Sequence, residues 1–152
     1  MADPLTHALL GAACAPEHPI LGAFFGLAPD APLIPMNIYT IAKHGKLATG
    51  QESWDSAPAA LNDLYDVLHG VFAPAAVLFM CWFFFPAAVP FALAYLSHVF
   101  IDAPLHKTTS FLFPLRGANL ALGKNWWEDW RIPAGTISGS LAILILRSWG
   151  LA

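Results

Sequence analysis

Residues 67–101 read VLHGVFAPAAVLFMCWFFFPAAVPFALAYLSHVFI. This stretch, bounded by Asp66 and Asp102, contains no Asp, Glu, Lys or Arg, and its polar exceptions include His69 and His98. An apolar run of roughly 20 residues is enough to cross a bilayer as a helix, and this one is longer. Pro86 and Pro90 punctuate it near the middle, so it reads as two helical arms joined by a turn. From His69 to Pro86 is about 25 Å of helix, and from the turn to Asp102 about 21 Å. His69 and Asp102 are therefore expected to face each other near one membrane boundary, with His98 one turn deeper. Pro74 is positioned to kink the ascending arm.

The rest of the chain has the same character. Of 152 residues, 57% are hydrophobic and 11% charged, against about 25% charged in ordinary soluble domains. Seven basic and ten acidic side chains are too few to cover a water-facing exterior, which disfavours the alternative of a buried hairpin in a soluble protein. The length suits one domain, residues 1–152. A net charge of −3 with no basic cluster argues against nucleic acid as a partner. Cys14 and Cys81 both lie in apolar surroundings and read as core residues. Met1-Ala2-Asp3-Pro4 lacks a positive n-region, so no cleaved signal peptide is expected.

Four apolar blocks follow from the pattern. Leu5–Ala28 is interrupted by Pro16-Glu17-His18-Pro19; Val67–Phe85 and Val89–Ala103 are the two arms already described. Pro133–Trp149 contains Leu141-Ala142-Ile143-Leu144-Ile145-Leu146, with Pro133 near its start and Gly150 just after it, as helix ends favour. Polar loops are expected at about Asn37–Pro58 and Lys107–Arg131. The blocks should be helical, because an uncovered strand edge is not tolerated in lipid. The expected fold is thus all-α: a helical integral membrane protein of two hairpins plus a C-terminal transmembrane helix. A straight helix from His7 to Asp30 would separate those residues by about 35 Å. A hairpin turning at Pro16–Pro19 instead returns Asp30 to the level of His7, with arms of only about 15 Å, re-entrant or packed within the protein.

The residues that carry chemistry sit at the ends of these blocks. His98 and Asp102, four apart, project from one helical face; imidazole nitrogen plus carboxylate oxygen suits zinc, iron or manganese, and equally a simple hydrogen-bonded pair. His7 opens the first block, where it could be an ordinary N-terminal residue. Asp30, in Ala28-Pro29-Asp30-Ala31-Pro32, could cap a turn, and His69 could reach toward the interface. Ionisable residues at the ends of apolar helices are costly and often mark function, and here five of them recur in the same kind of place.

These residues fall in a recognisable succession: Thr6-His7, Pro29-Asp30, Tyr65-Asp66-Val67-Leu68-His69, and Tyr95-Leu96-Ser97-His98-Val99-Phe100-Ile101-Asp102. Downstream come Ala103-Pro104-Leu105-His106, Phe111-Leu112-Phe113-Pro114-Leu115 and Gly123-Lys124-Asn125-Trp126-Trp127. The succession, over roughly residues 5–130, resembles the YdjM-like family of membrane-bound metal-dependent hydrolases. Pro32 stands where that family often has a second Asp, and Gly70 where it often has Ser.

The resemblance implies a helical fold related to zinc-dependent phospholipases C, with divalent metal, zinc by analogy, in one to three ions. It further implies nitrogen ligands from His7, His69 and His98, and carboxylates from Asp30 and Asp102, which also serve catalysis. His106 would be a further ligand or protonate a leaving group, and Asp66 would support the ligands unless it is simply a solvated acid. The implied reaction is hydrolysis of a phosphoester of a lipid or other membrane-associated substrate by metal-activated water. Trp126, Trp127 and Trp130 would lie at the headgroup level or serve as an anchor. A non-enzymatic metal-binding scaffold or permeation protein is the alternative. Lys43, Lys46, Lys107, Arg116, Lys124 and Arg131 fall on the site side and Arg147 at the far end, so the positive-inside rule puts the site on the cytoplasmic face of a multi-pass inner-membrane protein.

Overall fold

A computed structural model describes residues 4–46, 51–103, 110–115 and 131–150. Every regular element among them is helical. In chain order these are α1 (Pro4–Cys14), α2 (Pro19–Leu27), a 3₁₀ turn (Ala28–Asp30), α3 (Leu33–His44), α4 (Gln51–Ser56), α5 (Ala59–His69), α6 (Phe72–Phe84), a second 3₁₀ turn (Pro86–Ala88), α7 (Val89–Asp102) and α8 (Arg131–Ser148).

Helices α1 and α2 form the expected hairpin around Pro16–Pro19, with Pro19 in the first turn of α2. Three glycines explain how closely they approach. A Cβ on Gly11 would fall onto the Gly22 carbonyl, one on Gly22 onto the Gly11 carbonyl, and one on Gly26 onto the His7 carbonyl. Gly22 and Gly26 are four apart, the spacing at which small residues let apolar helices pack backbone to backbone.

The second hairpin, α6 and α7, also forms. Phe85, preceding Pro86, leaves the helical region, at φ −140 and ψ 65. Proline disfavours the helical conformation in the residue before it. The ascending arm is broken as well as bent: α5 ends at His69, Gly70 is extended (φ −73, ψ 143), and α6 starts at Phe72. Pro74 lies four residues after Gly70, has no N–H for the Gly70 carbonyl and would press its ring against it. The break stands at that carbonyl. Segment 110–115 covers it, the Val71 N–H donating to the Phe111 carbonyl at 2.8 Å and the Tyr95 hydroxyl to the Leu68 carbonyl at 2.8 Å. Tyr95, Val99, Ala103 and Phe111 form the apolar core there.

The expected loop at Asn37–Pro58 is corrected. It contains most of α3, ending at Gly45 (φ 70) with its N–H on the Ile41 carbonyl at 2.8 Å, and α4; α5 then begins eight residues before Val67. These segments carry polar residues on one face, so they lack the uniform apolarity used to mark helices from the sequence. The other expected loop lies mostly outside the described residues. The C-terminal block is helical and Gly150 has φ 69, a left-handed conformation that glycine adopts without strain.

Among the described residues no single helix is both long and apolar enough to cross a membrane. Two bent pairs meet the length and composition requirement together: Pro19–Asp30 with Leu33–His44, bent by 50°, and Ala59–His69 with Phe72–Phe84, bent by 51°. Polar side chains share the interior with apolar ones such as Met36 and Val99. Among the largest fully buried side chains are His7, His69, His98, Thr40 and Asp102, whereas Ile20, Phe24, Trp82, Phe83 and Phe84 are exposed.

Candidate metal centre

The two bent pairs break at the same place, and the candidate ligands gather there. Asp30 closes the 3₁₀ turn after α2, His69 is the last residue of α5, and His98 and Asp102 lie in the last turns of α7. His7, from the start of α1, is carried to the same end by the glycine contact with α2. All five residues expected from the sequence to share one end therefore do so, and His98 lies level with His69. His106 lies outside the described residues, as do Trp126, Trp127 and Trp130.

Asp30, His69, His98 and Asp102 each offer one ligand atom within 4.8 Å of all the others, and the group could hold a metal ion. The Nε2 atoms of His69 and His98 are 3.1 Å apart. The Asp102 Oδ2 lies 3.4 Å from the His98 Nε2 and 3.7 Å from the His69 Nε2; the Asp30 Oδ1 lies 3.4 Å from the His69 Nε2 and 3.8 Å from the His98 Nε2. Four donors about 2.0–2.1 Å from one tetrahedral ion stand about 3.3 Å from one another. The five separations that involve a histidine bracket that value, and the two carboxylate oxygens lie within 4.8 Å of each other.

The tautomers sharpen the argument. The His98 Nδ1 is 2.6 Å from the Gly26 carbonyl and the His69 Nδ1 is 3.1 Å from the Tyr65 carbonyl. A carbonyl only accepts, so in both rings the Nδ1 carries the proton and donates it. In the neutral rings both Nε2 atoms then present lone pairs at 3.1 Å, an arrangement that needs a cation or an added proton between them. A backbone carbonyl on the distal nitrogen is also the usual support for a metal-ligating histidine. The donor set, two imidazoles and two carboxylates, fits a divalent ion of the zinc, iron or manganese kind.

His7 stands beside this group. Its ring stacks on that of His98 with centroids 3.8 Å apart and planes at 25°. Its Nε2 is 3.1 Å from the other Asp102 oxygen, Oδ1, yet off the line required for a hydrogen bond. His7 therefore fixes the position of Asp102 and His98 from one side. On the other side Tyr65 stacks on His69 (3.7 Å, 17°), and Trp54 meets Tyr65 edge-on at 5.1 Å. Asp66 is one turn from the cluster and does not join it. Asp30 is the only one of these four candidate ligands with appreciable exposure, 16%, against 0–1% for the others. The centre is thus approached past Asp30.

Sequence reasoning missed Gly26, which both admits the His7 backbone and presents its carbonyl to His98. The available signal was Gly22-Ala23-Phe24-Phe25-Gly26 within an apolar block. Tyr65 was visible only as part of the Tyr65–His69 motif. The chain matches no family model, no curated protein and no solved structure, so its resemblance to the YdjM-like family rests on the motifs themselves.

Proposed function

We propose that this chain is a membrane-bound, metal-dependent hydrolase that cleaves a phosphoester of a lipid or other membrane-associated substrate. The observation that carries the reading is the facing pair of histidine Nε2 atoms, each with its Nδ1 proton committed to a backbone carbonyl, between two carboxylates. Zinc is the proposed ion, because nitrogen and oxygen donors at tetrahedral spacing are its common protein environment. His69, His98, Asp30 and Asp102 would hold it, with His7 and the Gly26 and Tyr65 carbonyls orienting them. Bound there, a divalent ion supplies Lewis acidity, acidifying water toward a pKa of about 7 and polarising a phosphoryl oxygen.

The chain's own residues supply the rest. Asp30, at the accessible side of the cluster, is positioned to orient water or accept its proton. Asp102, buried with its Oδ1 3.1 Å from the His7 Nε2, serves as the second carboxylate. His106 remains the proposed proton donor to the leaving group.

The membrane part of the reading is supported by the exterior of α2, α6 and α8, where Ile20, Phe24, Phe79, Trp82, Phe83, Ile143 and Ile145 are exposed. It is further supported by the two bent pairs of spanning length. The motif resemblance to the YdjM-like family agrees with both. Lys43 and Lys46 come at and after the end of α3, which starts just after Asp30, and Arg131 and Arg147 stand near opposite ends of α8; with Lys43, Lys46 and Arg131 on the site side, the positive-inside rule favours a cytoplasmic site.

A second reading is favoured by one specific observation. Four protein ligands around one ion make a closed shell, as in structural zinc sites, whereas catalytic sites keep a position open. That arrangement would suit a non-enzymatic metal-binding scaffold. The two readings part in a turnover assay with purified, zinc-loaded protein and phosphatidic acid or an isoprenyl diphosphate. The hydrolase reading expects phosphate release that chelation abolishes, that added zinc restores, and that Asp30→Asn lowers by at least about 100-fold. Fully loaded protein that releases no phosphate from either substrate would leave the scaffold.

A further inference from the structure

The far end of the bundle contains a cavity that the metal chemistry does not use. It has a volume of about 370 Å³ and lies between the two hairpin turns, Cys14–His18 on one side and Pro86–Phe91 on the other, with Arg147 of α8 also in its lining. Small-molecule sites begin at about this size. His7 and Cys14 are at opposite ends of α1, and Asp102 and Phe91 near opposite ends of α7. The cavity is consequently about 10 Å or more from the metal cluster along the helix axes.

Glu17 and Arg147 line the same cavity and are both exposed at its mouth, and neither forms an ion pair with the other or with any other described residue. Opposite charges lining one space without closing on each other leave room for a ligand that answers both. His18 and Phe91 add an aromatic wall, their ring centroids 6.1 Å apart. The surroundings are apolar: Ile20, Phe84, Phe85 and Trp149, each adjoining a lining segment in sequence, are between 61% and 85% exposed. An amphiphile suits such a mouth better than a fully water-soluble zwitterion, because its chain covers surface that water would otherwise face.

We propose that this cavity binds the zwitterionic headgroup of an amine-bearing phospholipid, with Arg147 on the phosphodiester and Glu17 on the ammonium group. Arginine is suited to the first role because its planar fork matches paired phosphate oxygens. Glu17 is what distinguishes a zwitterionic lipid from an anionic one. Without its carboxylate the cavity would carry only the cation and would accept either.

The test is lipid retention by the purified full chain in detergent, read by native mass spectrometry with equal amounts of phosphatidylethanolamine and phosphatidylglycerol. The wild type should retain the ethanolamine lipid over the glycerol lipid. Arg147→Gln should lower retention of both by roughly tenfold, the loss of one charge-assisted hydrogen-bonded contact. Glu17→Gln should lower the ethanolamine lipid alone and so abolish the preference. Zinc content, measured on the same samples, should be equal in all three proteins, which separates this site from the metal centre and from misfolding. Glycerophosphoethanolamine, the same headgroup without chains, should compete only weakly. Equal retention of both lipids by all three proteins would overturn the proposal. So would competition by the chain-free headgroup as strong as by the lipid.

Discussion

At the residue scale, the centre depends on which nitrogen of each histidine carries its proton. The Gly26 and Tyr65 carbonyls settle this for His98 and His69, turning both Nε2 lone pairs inward. Ligation requires imidazole without its second proton, so metal retention should fall on acidification as protons compete for the Nε2 lone pairs. A zinc indicator titration between pH 8 and pH 5 would show this; retention that rises on acidification would contradict it. His7 tests the supporting shell. If it positions Asp102, His7→Gln should weaken zinc binding by about 10–100-fold, the usual effect of removing such a partner, while helicity by circular dichroism stays unchanged. Asp102→Asn should weaken it more. The five residues were legible in the sequence because each is an ionisable group at the end of an apolar block. Their division of labour was not, because spacing places His7 and His98 at one level but cannot show that their rings stack while Asp102 turns one oxygen to each.

At the element scale, the site is assembled by one close helix contact and one helix break. The contact of Gly11, Gly22 and Gly26 brings His7 and the Gly26 carbonyl to α7. Gly26→Ala puts a methyl group onto the His7 carbonyl, where only backbone can yield. It should cost about 1–3 kcal/mol, as overpacking typically does, and lower zinc affinity as well. Thermal unfolding and zinc titration of the variant would check both; an unaltered affinity would mean that the α1–α2 contact does not shape the centre. The hairpin itself followed from the Pro16–Pro19 interruption, since only a turn returns Asp30 to His7. The break at Gly70 was less legible. Pro74 signalled a kink, but the disruption appears at the Gly70 carbonyl four residues earlier, where the proline ring would strike. Helices α3 and α4 were read as loop because Asn37–Pro58 mixes polar and apolar residues on amphipathic turns.

At the scale of the whole molecule, several ionisable groups are buried and many large apolar side chains are exposed among the described residues. Phe83, Phe84 and Trp82 are each more than 60% exposed, while His7, His69, His98 and Asp102 are at most 1% exposed. In lipid the exposed apolar side chains are favourable, since that exterior needs no water. The protein should therefore stay with the membrane fraction after an alkaline carbonate wash and require detergent for extraction. Release by the wash would contradict the membrane reading. The metal should also contribute to global stability, because it relieves the proximity of two carboxylates and the facing lone pairs. The most direct test of the central claim is elemental analysis of the purified protein beside His98→Ala and Asp30→Ala. The account predicts close to one equivalent of a divalent transition metal per chain in the wild type and a large loss in both variants. Wild-type protein carrying no more metal than the variants would contradict it.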